Sequence, residues 1–229
     1  RDLAATARYL DRALELEPGN TEILRSAINL FRVLGRLDKA IAVAEYSITL
    51  DPVNNSSYYL LGLMNRYSGR LDAAIEAFQT ALHLSPGRMG ANYGISEALM
   101  LKGEPEAALA SAIQEGGDSV WGPISFPMIY HALGREADSD AALAKLIEEE
   151  EMEAAYNIAY VLAYRGEVDR AFEWLDKAVE YNDPGLGDLP IESLFSNIHD
   201  DPRWLPFLES IGKSPAQLDS IEFDVALPK

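Results

Sequence analysis

The chain has 229 residues, of which 48% are hydrophobic, and its 19 basic and 37 acidic residues give a formal net charge of −18. The apolar content excludes a disordered chain, and the lack of clustered lysine and arginine argues against a nucleic-acid partner. The absence of cysteine excludes disulfide frameworks, thiolate catalysis and cysteine-based zinc sites. No apolar run reaches the length of a membrane span, so we expect a soluble protein without direct membrane insertion. The composition leaves cytoplasm or periplasm open.

The predicted elements are helix pairs that recur along the chain. Pro18, Pro52 and Pro86 lie 34 residues apart. A series of glycines runs beside them at intervals of 34, 34, 31 and 32 residues: Gly35, Gly69, Gly103, Gly134 and Gly166. Glycine ends helices and proline follows them, so each glycine is predicted to close a first helix and each proline to follow a second. A fixed period of this length is typical of stacked supersecondary units.

The stretches between a glycine and the next proline have the pattern of amphipathic helices. In "RLDAAIEAFQTALHLS" the apolar stripe consists of Leu71, Ala74, Ile75, Phe78, Ala81 and Leu82. The preceding stretch "SSYYLLGLMNRYS" is apolar over most of its surface, as expected for a helix buried between neighbours on two sides.

The residues at fixed positions of these units resemble the signature of the tetratricopeptide repeat family. The unit from Asn55 has expected residue types at eight signature positions: Tyr58, Leu61, Gly62, Gly69, Ala74, Phe78, Ala81 and Pro86. The unit from Thr21 matches similarly, although Ser47 replaces the usual alanine. Small residues at three of these positions allow close helix approach. The resemblance implies an all-α fold, a right-handed α-solenoid of stacked antiparallel helix pairs.

The later units match less closely. The unit from Met89 ends early, and in the unit from about Val120 a proline, Pro127, stands where a small residue is usual, which predicts a short or irregular first helix. We place the repeat array at residues 1–185: a half repeat at 1–20, then repeats at about 21–54, 55–88, 89–119, 120–151 and 152–185. The break between Glu115 and Pro127 is the first candidate for a bend or for partner selection.

Residues 186–229 lack the period and are predicted to form C-terminal capping helices and an acidic tail. Asp201-Pro202 is a helix start, followed by an apolar face. A repeat array that ends in such a helix resembles the C-terminal region of multidomain bacterial signalling proteins with an upstream cyclase, winged-helix or kinase domain. Since the chain starts with Arg1 inside a predicted helix, we expect it to be a piece of a longer protein.

No group of residues has the spacing of a catalytic or metal site. His83, His131 and His199 are far apart and lack partners at ligand spacing. The acidic run at residues 148–153 lacks the alternating ligands and central glycine of a calcium loop. We therefore expect no enzyme activity, no cofactor and no metal site.

The resemblance implies that the first helices line a concave groove and that fixed positions point into it. Those positions predict a partner-binding groove of nine residues: Arg25, Asn29, Arg32, Tyr59, Arg66, Tyr93, Met100, Tyr156 and Tyr160. Tyrosine and arginine dominate binding hot spots, and the arginines would form a local positive patch that suits an acidic partner segment. Alternatively, the tyrosines fill the packing between repeats and the arginines pair with glutamates such as Glu22.

The leading functional hypothesis is a non-catalytic scaffold that binds a protein or peptide in this groove. The alternative is a regulatory or assembly region of a larger signalling enzyme or transcription regulator, which contacts its own upstream domain or a second copy as a homodimer. A chaperone-type carboxylate clamp is disfavoured, because Leu60, Gly90 and Gly94 stand where that clamp has asparagine, lysine and arginine.

Overall fold

The structure is a computed structural model that describes residues 2–115 and 121–227. Within these ranges the chain forms thirteen α-helices and three short 3₁₀ helices, and no strand. It divides into two compact units, one formed by residues 2–88 and 212–227 and the other by the described part of residues 89–211. The predicted cap therefore splits at Ile211, because the residues beyond it belong to the first unit.

The first unit contains five long helices and one short one. Their bounds are α1 (Leu3–Leu16), α2 (Thr21–Val33), α3 (Leu37–Leu50), α4 (Asn55–Tyr67), α5 (Leu71–Leu84) and α13 (Pro215–Asp219). Asn20 caps α2 by accepting hydrogen bonds from the backbone N–H groups of Glu22 and Ile23. Gly35 follows the end of α2 with a φ of 70°, a conformation that glycine adopts without strain. These local signals produce the helix pairs α2–α3 and α4–α5.

Small residues at signature positions bring the paired helices close together. A Cβ atom on Gly62 of α4 would lie 2.7 Å from the ring of Phe78 on α5, a distance that leaves no room for it. Ala74 and Ala81 on α5 occupy the other two small positions of the same repeat, and both are fully buried. The packing explanation for these small residues is therefore confirmed.

The second unit contains the remaining helices. They are α6 (Ala91–Leu101), α7 (Pro105–Glu115), α8 (Trp121–Ala132), α9 (Glu136–Glu150), α10 (Ala155–Tyr164), α11 (Val168–Glu180), three 3₁₀ helices (Pro184–Gly187, Leu189–Ile191 and Ser193–Ile198) and α12 (Trp204–Ser210). None of the helices in the described ranges is both long enough and apolar enough to cross a bilayer.

The structure corrects the expectation for Pro127. The predicted break between Glu115 and Pro127 falls partly on residues 116–120, which lie outside the described residues. Pro127 itself lies inside α8, which has 12 residues and is not shortened. Proline removes one backbone donor from the helix. The carbonyl oxygen of Pro127 accepts a hydrogen bond from Oγ of Ser139 on α9 at 2.6 Å, which joins α8 to α9.

Candidate functional site

A cleft of about 420 Å³ lies on the first-helix face of the first unit, between α2 and α4. Three of the predicted groove residues, Arg25, Asn29 and Tyr59, line this α2–α4 cleft, together with Asn54 and Arg88. The cleft therefore combines two cationic side chains, two amides, an aromatic ring and the carboxylate of Glu22. This set can bind a carboxylate and an apolar or aromatic side chain next to it.

Arg25 forms an ion pair within its own helix. Its Nη2 lies 2.7 Å from Oε2 of Glu22, and half of its side chain is exposed. The sequence had left open whether the arginines pair with glutamates such as Glu22, and Arg25 does so. An exposed pair of this kind stabilises a protein by about 0–1 kcal/mol. A guanidinium has five donors, so Arg25 keeps capacity for a second carboxylate.

The ring of Tyr59 lies between two other side chains. The Arg88 guanidinium lies 4.3 Å from its centroid, in cation–π contact, and the Phe78 ring lies 5.6 Å away. Sequence reasoning missed Arg88 because it lies after the second helix, outside the positions assigned to the groove. The usable signal was its place in "SPGR", where the chain returns towards the first-helix face.

The three predicted arginines do not form one exposed patch. Arg66 is only 3% exposed, and its guanidinium lies 4.2 Å from the ring centroid of Tyr67. Arg32 is partly exposed and lies in the last turn of α2, as Arg66 does in α4, where a cation is favoured by the helix dipole. Of the three, Arg25 is the arginine exposed at the cleft.

The predicted groove residues of the second unit are all buried: Tyr93, Met100, Tyr156 and Tyr160. Their burial matches the alternative interpretation, in which the tyrosines fill the packing between repeats. The hydroxyl oxygens of Tyr93 on α6 and Tyr160 on α10 lie 2.5 Å apart. Tyr93 also donates to Oε1 of Glu97 at 2.5 Å. Burial, followed by the charge of Glu97, raises the pKa of both phenols well above 10, so they remain protonated donors.

The last 3₁₀ helix, Ser193–Ile198, covers Tyr156 and the end of α10. The ring of Tyr156 lies 5.5 Å from the ring of Phe195 in the last 3₁₀ helix, and Asn197 donates to the carbonyl oxygens of Ala163 at 3.2 Å and Tyr164 at 3.1 Å. These contacts seal the end of α10. A partner could reach Tyr156 or Tyr160 only if this segment moved, so the α2–α4 cleft is the better candidate site.

A comparison with known protein families identifies the family of this chain. The family model described as "Tetratricopeptide repeat" matches residues 1–55 and 56–118, which is more than half of the 229 residues. The chain belongs to the tetratricopeptide repeat (TPR) family. Its repeated helix pairs form an all-α solenoid, as predicted. Members of this family serve as scaffolds for protein–protein interaction, and this general role holds for the chain.

Several solved structures share the fold at low sequence identity. A thermophilic TPR protein from Thermus thermophilus has a TM-score of 0.60 and 20% identity over 78% of this chain and 99% of its own. A TPR protein from Parabacteroides merdae has a TM-score of 0.58 and 16% identity over 97% and 88%. MamA has a TM-score of 0.54 and 24% identity over 66% and 90%. At these identities the likeness shows the fold alone. No curated protein matched the sequence.

The described residues of this TPR chain contain no group of three His, Cys, Asp or Glu side chains that could hold a metal ion. Serine and threonine hydroxyls also line the α2–α4 cleft.

Proposed function

We propose that this TPR chain is a non-catalytic scaffold that binds a protein or peptide segment in the α2–α4 cleft. A carboxylate of the partner meets Arg25 and Arg88, and an apolar or aromatic side chain packs beside Tyr59. The observation that supports this proposal is the grouping of two arginines and a tyrosine around one cleft of about 420 Å³ on a chain of net charge −18. Asn29 and Asn54 add side-chain amides for the partner's backbone.

The net charge of the chain restricts which acidic segments Arg25 and Arg88 can bind. At long range an acidic protein repels an acidic partner, and salt screens that repulsion beyond about 8–10 Å. Within the cleft the guanidinium groups face the partner directly, where a charge-assisted hydrogen bond is about twice as strong as a neutral one. We therefore expect partner segments with one or two carboxylates among apolar residues, since a long acidic run would be repelled by the rest of the surface.

The chain offers a matched control for the arginine. Arg12 on α1 pairs with Glu15 at 2.7 Å with the same three-residue spacing as Arg25 with Glu22, in the opposite order along the helix, and it lies outside the cleft. Arg12→Ala therefore removes the same charge and the same kind of ion pair without touching the proposed site.

Short peptides selected from a random display library on the wild-type chain would provide the probe. We expect the selected sequences to contain Asp or Glu, and we expect Arg25→Ala and Arg88→Ala each to weaken their binding by about tenfold in fluorescence anisotropy. Arg12→Ala should leave the affinity unchanged. The proposal fails if Arg25→Ala and Arg12→Ala have equal effects, or if the selected peptides lack carboxylates.

A further inference from the structure

A second surface of the first unit already holds an extended peptide, which is the chain's own segment Ile221–Leu227. Along this extended segment the side chains alternate. Four of them pack against the core of the first unit, and the three between them are exposed: Ile221, Phe223, Val225 and Leu227 face inward, and Glu222, Asp224 and Ala226 face outward. This is the period of two that an extended chain shows when one side is buried.

The segment lies in a crevice between α1 and α3. Phe223 is 4% exposed, and its ring lies 4.6 Å from the ring of Phe31, which forms the floor. Arg36, at the start of α3, donates from Nη1 to the carbonyl oxygen of Phe223 at 2.9 Å and from Nη2 to that of Ile221 at 2.5 Å. Lys39 pairs with Oδ1 of Asp224 at 2.9 Å.

These contacts have the chemistry of extended-peptide recognition. Hydrogen bonds to alternate backbone carbonyls supply affinity without depending on sequence, and a pocket for one aromatic side chain supplies specificity. Lys39 adds a preference for an acidic residue directly after the aromatic one. The residues that hold the segment lie more than 180 positions before it in the chain, so this contact is not part of the repeat pattern.

The segment does not fill the α1–α3 crevice. A cavity of about 730 Å³ remains beside it, bordered by Leu14 and Pro18 on one side and by Phe223, Val225 and Leu227 on the other. A side chain larger than Val225 would reach into this space and bury more apolar surface. A competing segment with a bulkier apolar residue at that position would therefore fit better than the chain's own.

Acidic residues on α1 limit the charge that the crevice tolerates. Asp11 and Glu15 border the cavity, and burial, the charge of Glu15 and then that of Asp224 raise the pKa of Asp11. One carboxylate is accommodated by Lys39 and Arg36, whereas a run of carboxylates would face Asp11 and Glu15 without compensation.

We propose that the α1–α3 crevice is a second peptide-binding site, which the chain's own extended segment blocks. Its partner is a protein segment that binds in extended conformation and carries an aromatic residue followed directly by one acidic residue and then by a large apolar residue. The site goes beyond the proposed function, because residues of α1 and α3 form its walls, the ring of Phe31 forms its floor, and none of these residues lines the α2–α4 cleft. A tethered segment competes at an effective concentration on the order of millimolar, so the partner must bind tightly or the segment must be released first.

The test uses the full chain and a fluorescein-labelled peptide with the sequence of residues 219–229, DSIEFDVALPK. In the double variant Ile221→Ala, Phe223→Ala the segment should leave the crevice. We therefore expect this variant to bind the peptide at least about tenfold more tightly than the wild type. Adding Arg36→Ala should abolish that binding. Adding Arg25→Ala should leave it unchanged, which separates this site from the α2–α4 cleft. A peptide with alanine in place of phenylalanine is the ligand control.

Equal peptide affinity for the double variant and the wild type, with both folded by circular dichroism, would overturn the proposal. Equal affinity for the control peptide would do the same. If the double variant does not fold, hydrogen–deuterium exchange on the wild-type chain tests whether the peptide displaces the segment. Saturating peptide should then speed exchange at residues 222–227 and leave α4 unchanged, and no change at residues 222–227 would refute displacement.

Discussion

The hydroxyl oxygens of Tyr93 and Tyr160 lie 2.5 Å apart, so a hydrogen bond joins α6 to α10 although α8 lies between these helices in the chain. The direction of donation follows from the neighbours. Tyr93 donates its proton to Glu97, and Asn157 donates to the Tyr160 oxygen at 2.8 Å. Tyr160 must therefore donate to Tyr93, which gives an ordered chain Asn157–Tyr160–Tyr93–Glu97.

Removing one hydroxyl from this chain should destabilise the second unit. We expect Tyr160→Phe to lower the free energy of unfolding by about 1–2 kcal/mol, because Asn157 and Tyr93 would each lose a buried partner. Urea denaturation of the full chain, followed by tryptophan fluorescence, measures this change. Tyr9→Phe, at a largely exposed position, is the control and should have no effect.

The double variant Tyr93→Phe, Tyr160→Phe completes the cycle. Since the two hydroxyls share one hydrogen bond, its loss of stability should differ from the sum of the single losses by about 0.5–1.5 kcal/mol. Additive losses would show that the two phenols do not interact in solution.

Gly62→Ala should destabilise the first unit even though alanine is the better helix former by about 1 kcal/mol. The new Cβ would lie 2.7 Å from the fully buried ring of Phe78, and overpacking of this kind costs about 1–3 kcal/mol. We therefore expect a lower midpoint of thermal unfolding. Gly87→Ala provides the comparison, because nothing lies within 4 Å of its Cβ position, and a similar loss there would contradict the steric explanation.

Phe223→Ala should weaken the first unit by up to about 3 kcal/mol, the lower part of the range for a buried phenylalanine. We expect the loss of stability to lie in the lower part of that range because the segment can leave the crevice without disrupting the helices. Chemical denaturation of the full chain measures it. Glu222→Ala changes the exposed neighbour and should be neutral, and equal effects at the two positions would show that the segment is not docked in solution.

Acid should selectively weaken the start of α12. Hydrogen bonds from the Arg203 side chain and then its backbone N–H lower the pKa of Asp201 from 3.8 to about 2. The unfolded chain takes up this proton first, so the stabilisation from Asp201 is complete above about pH 4 and is lost as the pH falls through about 2. The difference in thermal midpoint between wild type and Asp201→Asn should therefore shrink between pH 4 and pH 2. A constant difference would contradict this assignment.

The local parts of the fold could be predicted from the sequence. Ala27, Ala40 and Phe78 are buried as their signature positions imply, because each contacts residues of its own or the next helix. The stop of α2 at Gly35 and the start of α4 beside Asn54 follow from chemistry within a few residues. The helix pairs and their register can therefore be predicted from local sequence alone.

The exposure of the groove residues could not be predicted in the same way. Tyr160, for example, is buried because Tyr93 and Phe195 come from other helices. A repeat position fixes the direction of a side chain, whereas its exposure depends on what other parts of the chain place in front of it. Arg36 is the extreme case, since its partners Ile221 and Phe223 lie outside the repeat array.

The contact between Phe31 and Phe223 also sets an order of maturation during synthesis. Helices α1–α3 emerge from the ribosome long before residues 212–227 are made. The floor of the crevice therefore stays uncovered while the whole second unit is translated. Residues 89–211 hold a contiguous core and can finish folding first, although they are made later than the first unit's helices. The first unit is therefore completed after the second although most of its helices are made earlier, and its uncovered crevice is available to a chaperone in the meantime.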